Sequence, residues 1–248
     1  MPKDRKENVP GIMWIHGGGY ILGIKEMVYA SRAIDLVKNY GAIVISLGYH
    51  LALFHPYPVA INDCYTVLLY LKEHSKEYGI NENQIMVGGE SAGAGLCIAL
   101  KMMARDKGEV EIAFQMPLYP MIDNFDTDSS KDNHGKIWNT KRNNFAWKKY
   151  LRKDVANDVS PYAAPARQKD YSNLPPAYTF VVDGEPFFSE TLTYTDNLKK
   201  SGIEAKVDVY HTNVHAFNMM RPNDELSKEA IKNFNNYFEY AIKNYFEK

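Results

Sequence analysis

The residues best equipped for chemistry fall in three short stretches. The first is Gly89-Glu90-Ser91-Ala92-Gly93, a G-x-S-x-G match lying between an apolar run that ends at Val87 and a small-residue helical pattern. A serine at the tip of a sharp strand-to-helix turn presents Oγ above a sheet, and close packing there tolerates only small neighbours. The following helix points its N-terminus at the site, which favours developing negative charge. The second stretch is His16-Gly17-Gly18-Gly19, directly after the apolar run "GIMWI". Bare backbone of this kind lets peptide N–H groups approach an oxyanion within hydrogen-bond reach. Gly17 and Gly18, with Ala92 after the serine, are the expected donors. A phosphate loop is a weak alternative, because neither a following Lys-Ser/Thr nor G-x-G-x-x-G spacing is present.

A serine nucleophile needs a base and the base needs an orienting acid. Seven histidines are available: His16, His50, His55, His74, His134, His211 and His215. The base belongs on a loop beyond a strand's C-terminal end, which selects His215 in "NVHAF" ahead of His211, at the end of the preceding strand. For the acid, the loop after "AYTFVV" offers Asp183 and Glu185, and Asp123 after "PLYPMI" is a third candidate; periodicity does not choose among them.

The elements that must position these groups alternate. "GIMWIHG", "GAIVISLGY", "QIMVGGE", "IAFQMPLYP", "AYTFVVDG" and "KVDVYH" read as strands. Helical spacing covers Met27 to Tyr40, Val59 to Tyr78, Ala92 to Arg105, about Glu190 to Lys200, and a long segment from Glu225. Repeated β-then-α units imply an α/β fold, with a mostly parallel sheet covered by helices on both faces. One domain over residues 1–248 is the simplest count, with an insertion at about 123–151 that lies near the strand ends, where α/β ligand sites form. Tyr20, Trp138 and Phe217 are the expected walls of a substrate pocket.

Composition bounds the rest. Of 248 residues 45% are hydrophobic and the formal net charge is -1, so no basic field advertises nucleic acid. The two cysteines, Cys64 and Cys97, sit in apolar helical patterns and read as buried free thiols. The charged N-terminus lacks the apolar stretch of a signal peptide, and no run reaches the length of a membrane span, so a cytoplasmic location is expected.

With these pieces on the page, the chain resembles the hormone-sensitive-lipase-like esterases of the α/β-hydrolase fold. The resemblance rests on "HGGGY", "GESAGAG", "SPYAAPA", "LPPAYTFVVDGEPFFSE" and "HAF", in family order and over nearly the whole chain. It implies a serine carboxylesterase acting on short- to medium-chain esters, with no metal or other cofactor. It also implies the acid: the family's Asp-Pro-Leu becomes Glu185-Pro186-Phe187, so the triad is Ser91, His215 and Glu185. The alternatives are an amidase, formamidase or peptidase on the same triad, or a relative that binds small molecules without catalysis. Other departures are His215-Ala216-Phe217 for His-Gly-Phe, and "YHLAL", with His50 where the family has arginine. The family also carries several dozen residues ahead of its HGGG loop that build two strands and much of a cap. Their absence implies a reduced cap and an exposed edge at "AIVISLGY", a possible route to homo-oligomers.

Overall fold

The structure, a computed structural model, describes residues 7–151 and 158–247; residues 1–6 of the charged leader lie outside that range. Among the described residues, six strands form one parallel sheet in the order β2-β1-β3-β4-β5-β6. They are β1 (Val9–Ile15), β2 (Ile43–Ser46), β3 (Ile80–Glu90), β4 (Phe114–Leu118), β5 (Ala177–Val182) and β6 (Ala205–Tyr210). The helices are α1 (Ala33–Tyr40), α2 (Val59–Glu73), α3 (Ala92–Lys107), α4 (Thr140–Leu151), α5 (Phe188–Lys200), α6 (Phe217–Met220) and α7 (Glu225–Asn244). No described helix is long and apolar enough to cross a membrane.

The period of two along β1 sorts the core. Met13 and Ile15 join a cluster with α2 and α3 on one face, while Ile12 and Trp14 join α1 and α7 on the other. Helix α3 is buried on every side from Ala92 to Ala104, which explains its run of small and apolar residues. Cys64 and Cys97 are free and buried, and desolvation raises both thiols above their ordinary range.

Two helical spans differ from the sequence expectation. The pattern over Met27 to Tyr40 is broken: a 3-10 turn over Lys25–Ala30 ends at Ser31, and α1 starts afresh. The Ser31 hydroxyl donates to the carbonyl of Val28 and accepts from the amide of Ala33, so it closes one element and caps the next. Helix α2 stops at Glu73 rather than continuing to Tyr78. Conversely, β3 is longer than "QIMVGGE", because it begins at Ile80 and passes a register shift against β1.

Strand order matters for function. The chain runs from β1 outward to β2, then crosses back to β3 on the other side of β1 and proceeds to β6. That reversal lies between β1 and β3, and in open α/β sheets the crevice beyond such a point is where ligands bind.

Candidate active site

Register brings the two glycine-rich stretches together. Trp14 pairs with Gly88 and Ile15 with Gly89, so His16 and Gly17 leave β1 beside Glu90 and Ser91 as they leave β3. A Cβ on Gly17 would lie 3.2 Å from Ser91 Cβ. Ser91 has φ 55° and ψ −120°, a region that L-residues enter only under strain of order 1–3 kcal/mol. Neighbours hold it there: its N–H donates to Leu118 O at 3.0 Å, and its carbonyl accepts from Met121 N at 3.1 Å. The carbonyl also accepts from Gly95 N, at 3.1 Å, in the first turn of α3. Ala92 opens that helix, where the first N–H groups have no partner within the helix.

The far side of the site comes from the ends of β5 and β6. Val182 pairs with Tyr210, Asp183 N donates to Tyr210 O, and Gly184 N donates to Thr212 O. These bonds hold the loops of Glu185 and His215 side by side. His215 Nδ1 is hydrogen-bonded to Glu185 Oε2, and His215 Nε2 lies 3.1 Å from Ser91 Oγ. The pair is sealed from water: Glu185 is 1% exposed and His215 6%. Ala216 takes a left-handed conformation (φ 57°) that turns the chain into α6.

The other acids and histidines are occupied elsewhere. Asp183 pairs with the solvent-exposed His211 at 2.7 Å. Asp123 pairs with Arg167 and accepts from Phe125 N. His50, the residue at the family's arginine position, meets Asp63 at 2.8 Å and packs edge-on to His55. His16 stacks on Tyr49 with its Nδ1 2.7 Å from Gly17 O; burial lowers its pKa, so the neutral ring is a rigid brace under the glycine loop.

Of the three expected pocket walls, Trp138 reaches the site. Its ring centroid is 6.4 Å from that of His215, and a Cβ on Gly19 would lie 2.2 Å from Trp138 Cη2. Its Nε1 donates to Asn143 Oδ1 at 3.3 Å, which ties the ring to α4. Tyr20 and Phe217, the other two, are buried members of the two core clusters. Tyr20 stacks face to face on Tyr150 at 4.0 Å and donates its hydroxyl to Met121 O at 2.6 Å. Phe217 packs against Phe180 and Tyr210.

Sequence reasoning missed three supporting groups. Glu90 is buried and accepts from Trp14 Nε1 at 2.7 Å. Buried Glu190 accepts from the amides of Ile122 and Asp123 and fixes the turn after β4. Tyr119 lies edge-on to His215 at 5.2 Å. Glu90 alone carried a signal, as the charged member of a motif whose other residues are small. No described cluster of three or more His, Cys, Asp or Glu side chains could hold a metal ion.

A family model described as alpha/beta hydrolase fold matches residues 12–219. The chain belongs to that family. This hydrolase-fold chain is 29% identical over 211 residues to Esterase LipI of Mycobacterium tuberculosis, covering 84% of its own length and 65% of that protein. It is 30% identical over 209 residues to an arylesterase of Saccharolobus solfataricus, covering 83% and 67% respectively. It thus spans about two thirds of the length of these relatives. Among solved structures, a bacterial heroin esterase superposes with a TM-score of 0.92 at 30% identity, over 97% of this chain and 77% of the other. An esterase of Pyrobaculum calidifontis gives 0.83 at 31% identity, over 92% and 75%.

Proposed function

We propose that the chain is a serine carboxylesterase that hydrolyses short- to medium-chain carboxylic esters. The reading rests on one arrangement: a single imidazole whose two nitrogens address the Ser91 hydroxyl and the Glu185 carboxylate, with Ser91 at a strained turn. In this scheme Ser91 Oγ attacks the ester carbonyl as His215 Nε2 takes its proton. Glu185 holds the tautomer with the proton on Nδ1 and stabilises the imidazolium that forms. Negative charge on the carbonyl oxygen is met by the N–H groups of Gly17, Gly18 and Ala92. His215 then protonates the departing alcohol, activates water, and releases the acyl group as a carboxylic acid. No cofactor is called for. Trp138, over Gly19 and beside His215, forms one wall of the acyl pocket. The names of the relatives support the same reaction class, since LipI and the Pyrobaculum calidifontis protein are both described as esterases.

The test is a set of three variants assayed on p-nitrophenyl butyrate and with a fluorophosphonate probe. Ser91→Ala loses turnover and labelling while its thermal unfolding stays cooperative. Glu185→Gln loses about 10³–10⁴ in kcat, the scale seen when a triad acid is neutralised. Asp183→Asn stays within twofold of wild type, because its carboxylate serves the exposed His211. A Ser91→Ala variant that still turns over at the wild-type rate removes this mechanism.

A further inference from the structure

Helix α4 divides into two faces. Asn143, Ala146, Trp147, Tyr150 and Leu151 are buried, while Lys141, Arg142, Asn144, Phe145, Lys148 and Lys149 are exposed. The exposed spacing, i, i+1, i+3, i+4, i+7 and i+8, is one stripe of a helix. Four of these six residues are cations. Lys136 and Ile137, in the turn just before, are exposed too, and Arg142 donates to both of their carbonyls, which pins that turn to the helix. From Lys136 to Leu151 there are five cations and no acid, in a chain whose formal net charge is -1. The nearest acids upstream have other partners, Asp128 with Lys131 and Asp132 with His134. Among the described residues, none of Lys136, Lys141, Lys148 and Lys149 forms an ion pair.

Solvation alone does not account for the sign of this charge. Lys141 and Arg142 fill the first turn of α4, where the helix dipole disfavours cations, and no acid balances them there. Nor does charge alone describe the stripe. Phe145 is 49% exposed at its centre, with Lys149 Nζ 5.5 Å from its ring, and Ile137 on the pinned turn is 36% exposed. We propose that α4 and the turn before it form a docking face for an anionic phospholipid surface. The lysines meet phosphate headgroups, while Phe145 and Ile137 enter the boundary between headgroups and acyl chains. The mixture selects lipid over nucleic acid or acidic protein, because a polyanion in water offers the charges but no apolar layer for these two side chains.

The same helix supports one wall of the site. Trp138 follows Ile137 directly, stands beside His215 and donates to Asn143 on the buried face of α4. On the glycine side, Leu22 donates its N–H to Gly18 O at 2.9 Å and is 58% exposed. Docking through α4 sets the Trp138 wall close to the bilayer, and an ester held in the lipid then has a short path to Ser91; this last step rests on the esterase reading above. The substrate class that follows is an amphipathic ester carried in an anionic bilayer. Each cation near such a surface contributes about fivefold in partitioning, and inserted apolar groups add to it. Salt weakens the first contribution far more than the second.

The experiment is co-sedimentation of the whole chain with sucrose-loaded vesicles, of phosphatidylcholine alone or mixed equally with phosphatidylglycerol. Binding is expected to the mixed vesicles and not to the neutral ones. Lys148→Gln combined with Lys149→Gln weakens it roughly 25-fold, at about fivefold per cation. Phe145→Ala weakens the binding that persists at high salt by about tenfold. Both variants unfold cooperatively and hydrolyse soluble p-nitrophenyl acetate within about twofold of wild type, while both lose turnover of a long-chain ester dispersed in the mixed vesicles. Equal binding to the two kinds of vesicle, or variants that sediment like wild type, overturns the proposal. So does retention on poly-glutamate by a chain that ignores vesicles, which makes an acidic protein the occupant. Binding to the mixed vesicles without turnover or fluorophosphonate labelling overturns the esterase reading alone. Turnover without vesicle binding overturns the docking face alone.

Discussion

The last glycine of the G-x-S-x-G match offers a quantitative test of how the site is assembled. Gly93 lies in the first turn of α3, where the helix passes over the end of β1. A Cβ there would stand 2.2 Å from Ile15 O, 2.4 Å from His16 O and 2.7 Å from His16 C. Ordinary contact begins at 3.4 Å, so Gly93→Ala forces a separation of roughly 1 Å between α3 and β1. Neither carbonyl can rotate away. Ile15 is held in register against Gly89, and His16 O accepts from the Tyr49 hydroxyl at 3.1 Å. The displacement must travel into Gly17 and Gly18, which follow at once, while Ala92 moves with the helix. The proposed oxyanion donors are thereby pulled apart.

Misplacing reacting groups by about 1 Å costs on the order of 100-fold, and losing one oxyanion donor costs 10²–10³ in rate. Gly93→Ala is therefore expected to lower kcat/KM at least 100-fold. Overpacking costs about 1–3 kcal/mol of stability, offset in part by up to about 1 kcal/mol from the better helix propensity of alanine. The net loss is small enough to leave the protein folded. Urea unfolding gives the stability, p-nitrophenyl ester hydrolysis gives the rate, and fluorophosphonate labelling reads Ser91 directly. Gly48→Ala is the control, because its Cβ would meet no heavy atom within 4 Å; it should stay within twofold of wild type. A folded Gly93→Ala protein with a wild-type rate would show that contact between β1 and α3 does not set the donors.

Two further outcomes are expected. Trp138→Ala removes the indole that covers Gly19 and flanks His215, and should raise the octanoate-to-acetate ratio of kcat/KM at least about tenfold, since pocket contacts worth one methylene already discriminate 10–200-fold; an unchanged ratio would place the acyl group elsewhere. Strand β2 is hydrogen-bonded to β1 alone among the described residues, and its Val44 lines a groove with Val28, Tyr29, Ile34 and Val37, so pairing of two copies along this edge should give a dimer by light scattering that Val44→Lys disrupts, whereas a monomeric wild type at micromolar concentration rules the pairing out.

The strands and the reactive residue types were legible because both are local properties. Apolar runs such as "GAIVISLGY" and the turn chemistry of "GGESAGAG" need nothing beyond their own sequence. What escaped was the fate of groups fixed by distant partners. Tyr20 and Phe217 have the composition of pocket walls, and their partners are remote in sequence: Tyr150 and Met121 for Tyr20, Phe180 and Tyr210 for Phe217. Register decides that Trp14 meets Glu90, and a shift along β3 separates the pairing of Val9 with Ile80 from that of Gly11 with Ile85. No window of sequence contains such a relation. The break in the Met27 to Tyr40 pattern was closer to legible, since a serine at position 31 competes for backbone groups and caps helices.

The proposed acid, Glu185, shows how a departure from the family pattern is absorbed by the fold. Glutamate is one methylene longer than the usual aspartate, and an unrestrained arm would swing the carboxylate past the imidazole. In this chain the arm folds back on its own strand: Val182 N donates to Glu185 Oε1 at 3.0 Å, which leaves Oε2 for His215 Nδ1. The loop is fixed at both ends, by Gly184 N on Thr212 O and by α5, which begins at Phe188. Ser129 strengthens that anchor through its hydroxyl, which donates to Pro186 O at 2.7 Å and accepts from Ser189 N at 3.0 Å. The extra methylene is thus taken up in the tight turn between β5 and Glu185, and the reach to His215 is set by the β5 backbone. Substituting aspartate here would shorten an arm that the strand end already holds, so the residue that looks conservative by chemistry is the one that the local geometry does not fit.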